Sequence, residues 1–319
     1  MKNKIGLVAK IDKNSPDNLS DDEWRYKFNY LRDSEDSLIV FNWEDLREDG
    51  EIPQYVYGDK RKVELKLNGN INNICDILVI GQMGPLYERK SDFFTFLKRL
   101  NNFSGRIINP LESIYYNISK KYLMDLSANG ISVVPTRDVN GNSLNVLKSM
   151  KFPNQNSIDL VIKPKILGEC GKDVRLISSF KNQEEFEIYL DRVKDAIFQP
   201  LISKIYNFGE DSLVFVDGKL VNCVNKFSGK MKVNECAHEG NVIYTKKRPL
   251  TKQLEVAKKV MDVWPTNFDY MRIDLINSEI PLVSEVEIIN PSCYEIDVGI
   301  MSEFNSHIKK LIDKIKNEI

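Results

Sequence analysis

Short apolar runs alternate with amphipathic stretches along the first hundred residues. Ile5–Ala9, Ser37–Phe41 and Asp76–Ile80 each have the length and content of a buried strand. Between the first two, Trp24, Phe28 and Leu31 recur at i, i+4 and i+7 within Asp21–Arg32, which predicts a helix. Gly81-Gln82-Met83-Gly84-Pro85 ends the third strand with turn chemistry. Phe93, Phe96, Leu97 and Leu100 then mark one face of a second helix, and Arg106–Ile108 reads as a fourth strand. Strands alternating with helices predict a mostly parallel sheet covered by helices.

The pattern changes after Asn109-Pro110. A helical stretch over Ser113–Leu126 stops at Asn129-Gly130, and Val133–Pro135 is extended. Asp159–Lys163 and Val174–Ile177 read as strands around a Gly168–Lys172 loop, with a helix at Glu184–Val193. Ala196–Gln199, Ser212–Val216 and Lys219–Asn225 form a strand-rich block, the last two joined by an Asp217-Gly218 hairpin turn. Helix returns over Leu250–Trp264, followed by neighbouring strands Tyr270–Ile276 and Leu282–Ile289. Ile308, Leu311, Ile312, Ile315 and Ile319 share one face of a closing helix whose lysines lie on the other. The expected class is α/β (α+β), in three parts with boundaries near Pro110 and Pro200.

Composition narrows the chemistry. The 319 residues carry 45 basic and 46 acidic side chains, a net charge of -1, without the global basic field of a non-specific nucleic-acid binder. Only His238 and His307 are histidines, so carboxylates, lysines and arginines must carry most of any catalysis. Cys236 and His238 form a conceivable nucleophile pair, but a polar loop without a third member reads better as surface. The five scattered cysteines include no C-x-x-C pair, which argues against a disulfide framework and a zinc site. No apolar run reaches membrane-span length and the start lacks a signal-peptide pattern, so a cytoplasmic protein is expected.

The richest cluster lies on the last two strands. Alternation places Arg272 and Asp274 on one face, with Ile273 and Leu275 on the other. Glu285 and Glu287 alternate in the same way with Val286 and Ile288. Three carboxylates on one face repel unless cations sit among them, and Mg²⁺ prefers carboxylates with substrate phosphates. A solvated face of alternating charge is the competing reading. The Gly168–Lys172 loop, with Gly168, Glu169 and Gly171, could bring backbone amides to a phosphate, although such loops are commonly plain turns. It is not a Walker A sequence. Lys120 and Lys121 read as surface charge when taken alone. Gln199-Pro200-Leu201-Ile202 reads as a hinge able to contact an adenine edge, or as an ordinary crossover.

The order of these pieces is more specific than any one of them. Asn109-Pro110, the Ser119-Lys120-Lys121 helix start, Gly130–Thr136, Ile162-Lys163-Pro164, the glycine loop, Gln199-Pro200, Gly209–Lys219, Arg272-Ile273-Asp274 and Glu285-Val286-Glu287 follow in sequence. From Asn109 onward the chain resembles the ATP-grasp superfamily, most of all its prokaryotic glutathione synthetase-like and cycloserine-forming branches. The resemblance implies an ATP-grasp fold behind a small N-terminal α/β domain. The parts would be residues 1–110, a central lid at 111–198 and a C-terminal part at 199–319 with the metal site.

The resemblance also implies roles. Lys120 and Lys163 match the nucleotide lysines, Gly168, Glu169 and Gly171 the loop over the phosphates, and Gln199, Pro200, Leu201 and Ile202 the adenine hinge. Glu210 matches an acidic position near the nucleotide or ribose. Arg272 and Lys232 match catalytic cations facing transferred phosphate. Asp274, Glu285 and Glu287 match the Mg²⁺ ligands, with Glu285 bridging two ions. Several positions depart from the pattern. Glu287 stands where many relatives have asparagine, Lys232 where arginine is usual, Ser119 where an acid often precedes the first lysine, and Gln199 where glutamate is common.

The implied activity is ATP-dependent joining of a carboxylate to an amine through an acyl phosphate, with amino acids or short peptides as substrates. A phosphotransferase, or a nucleotide-binding module without turnover, are the alternatives. Many relatives are dimers or tetramers, so a homo-oligomer enters as an expectation, with no nucleic-acid or membrane partner.

Overall fold

The computed structural model describes residues 4–8, 37–59, 62–81, 86, 89–139, 141–150, 159–166, 173–227, 242–289, 291–294, 298–299 and 301–318. The helix expected over Asp21–Arg32, part of the Gly81–Pro85 turn and the Cys236/His238 loop lie outside them.

Three sheets organise the chain. The first has the order β4-β3-β2-β1-β5-β6. Its strands are β1 (Lys4–Val8), β2 (Ser37–Phe41), β3 (Glu51–Asp59), β4 (Lys62–Asn70), β5 (Ile77–Ile80) and β6 (Arg106–Ile108). β2, β1, β5 and β6 run parallel, as the strand–helix alternation predicts. β3 and β4 form an antiparallel hairpin on one edge, in a stretch where the hydrophobic pattern assigned no element. Pro53 inside β3 argues against a central strand, and β4 leaves Leu65 and Leu67 exposed, so burial periodicity is weak there.

The second sheet, β7-β10-β8-β9, comprises β7 (Arg137–Asp138), β8 (Leu160–Pro164), β9 (Arg175–Leu176) and β10 (Ala196–Pro200). All of its pairings are antiparallel. It has its own core, in which Leu160, Ile162 and Phe198 meet Phe186 and Tyr189 of the helix Gln183–Val193. The third sheet, β13-β12-β11-β14-β15, comprises β11 (Glu210–Val216), β12 (Lys219–Phe227), β13 (Ile243–Lys246), β14 (Tyr270–Ile276) and β15 (Leu282–Glu287). It is antiparallel throughout.

The two faces of the third sheet meet different partners. Leu213, Phe215, Met271, Ile273, Leu275 and Val286 pack on Val256, Ala257 and Val260 of the helix Thr251–Val263. On the opposite face, Val214, Val216 and Tyr270 meet Ile308, Leu311, Ile312 and Ile315 of the helix Met301–Glu318. That helix also packs against Ile5, Leu7, Ile77 and Val79, so the first and third sheets share one core around it. Each of its four buried aliphatic side chains contributes roughly 2 kcal/mol of apolar transfer. Its exposed lysines include Lys309, Lys310 and Lys314. Among the described residues, no helix is long and apolar enough to cross a membrane.

The single helix expected over Ser113–Leu126 is broken into Leu111–Asn117 and Tyr122–Ala128. Between them, Ser119 bridges to Ile166 and the Lys120 amide donates to the Lys165 carbonyl at 2.8 Å. Tertiary pairing with the end of β8 outweighs helix propensity there. The same segment covers the open edge of β15. Asn117 donates to the Val286 carbonyl and accepts from the Ile288 amide, at 2.8 and 3.0 Å, while the Tyr122 hydroxyl accepts from the Val286 amide. An edge so covered is closed to stray strand pairing.

Asn109 ties the end of the first sheet to the third. Its side chain donates to the carbonyls of Tyr270 and Ile288, at 2.8 and 3.1 Å, and accepts from the amides of Asp269 and Tyr270. All four partners are backbone groups in a buried setting. Asn109→Ala should therefore lower stability by roughly 3 kcal/mol in a denaturant titration, more than one ordinary hydrogen bond. A loss under about 1 kcal/mol would mean that the junction does not depend on this side chain.

Candidate active site

The face of the third sheet that carries the C-terminal helix is split. Its apolar half lies under that helix. Its other half is charged, because β11, β12, β14 and β15 direct Glu210, Ser212, Lys226, Arg272, Asp274, Ser284, Glu285 and Glu287 into one region. In register, Arg272 lies opposite Glu287 and Asp274 opposite Glu285, as alternation on the last two strands implied.

Asp274 is 2% exposed and accepts four hydrogen bonds. Oδ1 takes the Ser212 hydroxyl at 2.6 Å and Arg272 Nε at 2.9 Å. Oδ2 takes Lys226 Nζ and Arg272 Nη2, each at 2.9 Å. Burial alone would raise the pKa of such a carboxyl. The Arg272 and Lys226 charges, with the Ser212 hydrogen bond, hold it well below the usual range instead. Lys226 also pairs with Glu210 at 2.6 Å, and Arg272 Nη2 reaches Glu287 at 2.7 Å. Despite burial, this negative surround keeps both cations firmly charged. Arg272 Nη1 donates to the Ser292 carbonyl, and the Tyr294 ring lies 5.5 Å from the guanidinium, stacked on Tyr244.

Lys120 is not surface charge. It is 7% exposed, and its Nζ meets Glu285 Oε1 at 2.9 Å, a position created by the helix break at residues 118–121. Lys121 is exposed. Lys163 projects from β8, on the face opposite Leu160 and Ile162, and feels Glu285, Glu210, Asp274 and Lys120. Burial pulls its ammonium below the usual lysine value. Burial works against the Glu285 charge too, but Lys120 and Lys163 hold that carboxyl at about 2. Glu287 is different. Burial, reinforced by Glu285 and Asp274, pushes it up to about 7 against the pull of Arg272.

The structure thus brings together Lys120, Lys163, Glu210, Arg272, Asp274, Glu285 and Glu287. The hinge residues lie further along β10. Gln199 is buried and donates to the Thr136 hydroxyl at 2.7 Å. Pro200 ends the strand, the Leu201 amide donates to the Asp159 carbonyl at 2.9 Å, and Ile202 packs with Val134 and Ile276. The Leu201 amide is therefore engaged within the protein. Gly168, Glu169, Gly171 and Lys232 lie outside the described residues. Sequence reasoning missed Lys226 and Ser212. Their signal was the alternation of β12 and β11, which shares a face with Asp274 only after the sheet is assembled.

Among the described residues, no three carboxylate, histidine or cysteine side chains converge on a ready metal position. Asp274 is already saturated by donors. Glu285 and Glu287, 27% and 30% exposed, each pair one oxygen with a cation. One or two carboxylates completed by substrate phosphate is the usual Mg²⁺ arrangement, and this donor set fits it.

Comparison with known proteins follows the same lines. No protein-family model matches the chain. A curated relative, the cycloserine biosynthesis protein DcsG of Streptomyces lavendulae, is 28% identical over 144 residues. That match spans 44% of this chain and about half, 48%, of the relative. The crystal structure of D-cycloserine synthetase DcsG superposes with a TM-score of 0.70 at 20% identity, covering 96% of this chain and 99% of that one. D-alanine–D-alanine ligase from Bacillus anthracis, complexed with ATP, gives 0.56 at 15% identity, with 99% and 100% coverage. The ATP-grasp ligase PsnB, complexed with a minimal precursor, Mg and ADP, gives 0.58 at 12% identity, with 99% of each chain covered. The chain has the ATP-grasp fold, an α/β architecture.

The two kinds of carboxylate can be separated by stability. Asp274→Asn removes the charge that holds Arg272 and Lys226, and should cost about 3 kcal/mol or more in denaturant unfolding. Glu287→Gln, at a partly exposed position, should cost less than about 1 kcal/mol. Equal losses would contradict the assignment of Asp274 as the anchor of the network.

Proposed function

We propose that this protein is an ATP-dependent carboxylate–amine ligase that forms an amide bond through an acyl phosphate, releasing ADP and phosphate. The observation that carries this reading is the charged half of the third sheet. It places two partly exposed carboxylates among Lys120, Lys163, Lys226 and Arg272, opposite the lid strand β8. Four cations around so small a region suit a triphosphate and a transferred phosphoryl group. The fold it shares with ATP- and Mg-bound ligases supports the same reading.

In this proposal the chain works in three parts, 1–110, 111–198 and 199–319, with ATP between the last two. Glu285 and Glu287 would hold Mg²⁺. The metal would neutralise charge on the phosphates. Arriving phosphate oxygens would compete with Asp274 for Lys226 and Arg272. With those cations engaged by phosphate, Asp274 would be the third carboxylate able to hold the metal beside Glu285 and Glu287. Lys120 and Lys163 would steady the β- and γ-phosphate oxygens, and Arg272 the phosphoryl group as it moves to the substrate carboxylate. Gln199 to Ile202 would border the adenine and Glu210 the ribose side. Gly168, Glu169, Gly171 and Lys232 keep the loop and catalytic roles that the resemblance implies. An amine of an amino acid or short peptide would then displace phosphate from the acyl phosphate.

ADP release should be screened over pairs of amino acids and short peptides, with mass spectrometry of the products. The expected result is a new amide bond with one ADP and one phosphate per product. A stable phosphorylated product would instead establish a kinase, and ATP binding without ADP a non-catalytic module. Glu285→Gln should lower the ligation rate at least about 100-fold. An unchanged rate would remove Glu285 from the metal site. Chelating divalent cations should abolish ADP formation, and restoring Mg²⁺ should recover it.

A further inference from the structure

The segment after β15 returns over the third sheet and is held there through two backbone carbonyls. Arg272 Nη1 donates to the Ser292 carbonyl at 3.1 Å, and Asn222 Nδ2 to the Cys293 carbonyl at 2.9 Å. Asn222 on β12 and Arg272 on β14 both lie opposite Val214 of β11, so they grip the segment from either side of that strand. The next carbonyl, of Tyr294, accepts from the Val298 amide at 3.2 Å. Tyr294 itself stands at φ +56°, a conformation that glycine adopts freely and a bulky residue rarely does. Strained backbone of this kind collects at functional positions, which directs attention to the side chain it carries.

That side chain is 8% exposed. The centre of its ring lies 5.5 Å from the Arg272 guanidinium carbon and 5.8 Å from Lys226 Nζ, both within reach of the ring's attraction for a cation. Tyr244 of β13, opposite Lys226 in register, stacks on the ring at 5.1 Å and 27° and backs it in place. The other side-chain partners of these two cations among the described residues are the carboxylates of Asp274, Glu210 and Glu287. Each carboxylate takes up N–H donors, and those are the donors that a phosphate oxygen needs. A ring attracts the charge as a whole and takes up no donor.

We propose that Tyr294 is a positioning residue for phosphoryl transfer. Its ring keeps the Lys226 ammonium and the Arg272 guanidinium where the terminal phosphate of ATP arrives, and leaves their N–H groups free to bind it. Asp274 orients the pair in the empty site, and the ring retains it as phosphate competes with Asp274. The proposal rests on the ATP-dependent reading above and adds to it a residue that touches neither nucleotide nor metal.

The test is calorimetric binding of Mg-ADP and of the Mg complex of AMP-PNP, an ATP analogue that keeps the third phosphate, to the full chain and to variants at position 294. Tyr294→Phe keeps the ring and should preserve the wild-type preference for AMP-PNP over ADP. Tyr294→Leu should reduce that preference at least about fivefold while ADP binding stays near wild type. Pentafluorophenylalanine introduced at position 294 keeps the shape of the phenylalanine variant and reverses the ring's electrostatics. It should lower the preference as leucine does, and it serves even if the leucine variant does not fold. Circular dichroism with thermal melting checks each variant. A pentafluorophenylalanine protein with the same preference as Tyr294→Phe would overturn the proposal and leave the ATP reading intact. Equal loss of both nucleotides would also overturn it, since packing alone would then account for the ring. A wild type that binds neither nucleotide would remove the ATP reading itself, and this role with it.

Discussion

The buried pair of Arg272 and Asp274 is the interaction on which the site depends. Two parallel hydrogen bonds, 2.9 Å each, fix a guanidinium to a carboxylate that is almost without solvent. Neither charge is tolerable there alone. Asp274 needs Lys226 and Ser212 to fill its remaining acceptor positions. Arg272 in turn reaches Glu287 and the Ser292 carbonyl, so one pair connects β11, β12, β14, β15 and the segment after β15. A pattern of alternating charge results, made before any ligand arrives, in which Asp274 holds Arg272 and Lys226 in place. Preorganisation of this kind is what phosphate chemistry requires of its surroundings.

That pattern exists because one sheet face serves two purposes. Its apolar half is held by the C-terminal helix, which also carries the first sheet. Its polar half is left to face the second sheet, whose core is separate. Lys163 comes from the second sheet and Lys120 from the helix break, so cations from two other segments converge on carboxylates from the third sheet. Glu285 and Glu287 differ by two residues yet lie at opposite ends of the carboxylate range. Two lysines surround the first, whereas the second shares one arginine with Asp274. Local environment, and not residue type, separates them.

Period-two and period-3.6 patterning made much of the architecture legible. The four parallel strands of the first sheet, the hairpin at Asp217-Gly218 and the final two strands follow from it directly. So does the opposition of Arg272 and Asp274 to Ile273 and Leu275. The β3–β4 hairpin escaped, because an edge strand with exposed leucines carries no burial signal. Taken alone, without the motif order, Lys120 read as surface for a related reason. Nothing within its own helix indicates that a bridge from Ser119 to Ile166 will break the helix and turn the lysine inward.

The sequence by itself determined the class of fold, the order of its motifs and which side chains on one strand share a face. These properties depend on separations of a few residues along the chain. Tertiary structure alone decided that Lys226 and Ser212 belong with Asp274, that Lys120 meets Glu285, and that Asp274 is saturated while Glu285 and Glu287 remain open. Those relations join residues 48 to 165 positions apart, and register between strands settles them. Charge pairing in a buried setting then selects among the alternatives that alternation leaves open, because a misplaced charge there costs more than any local preference contributes.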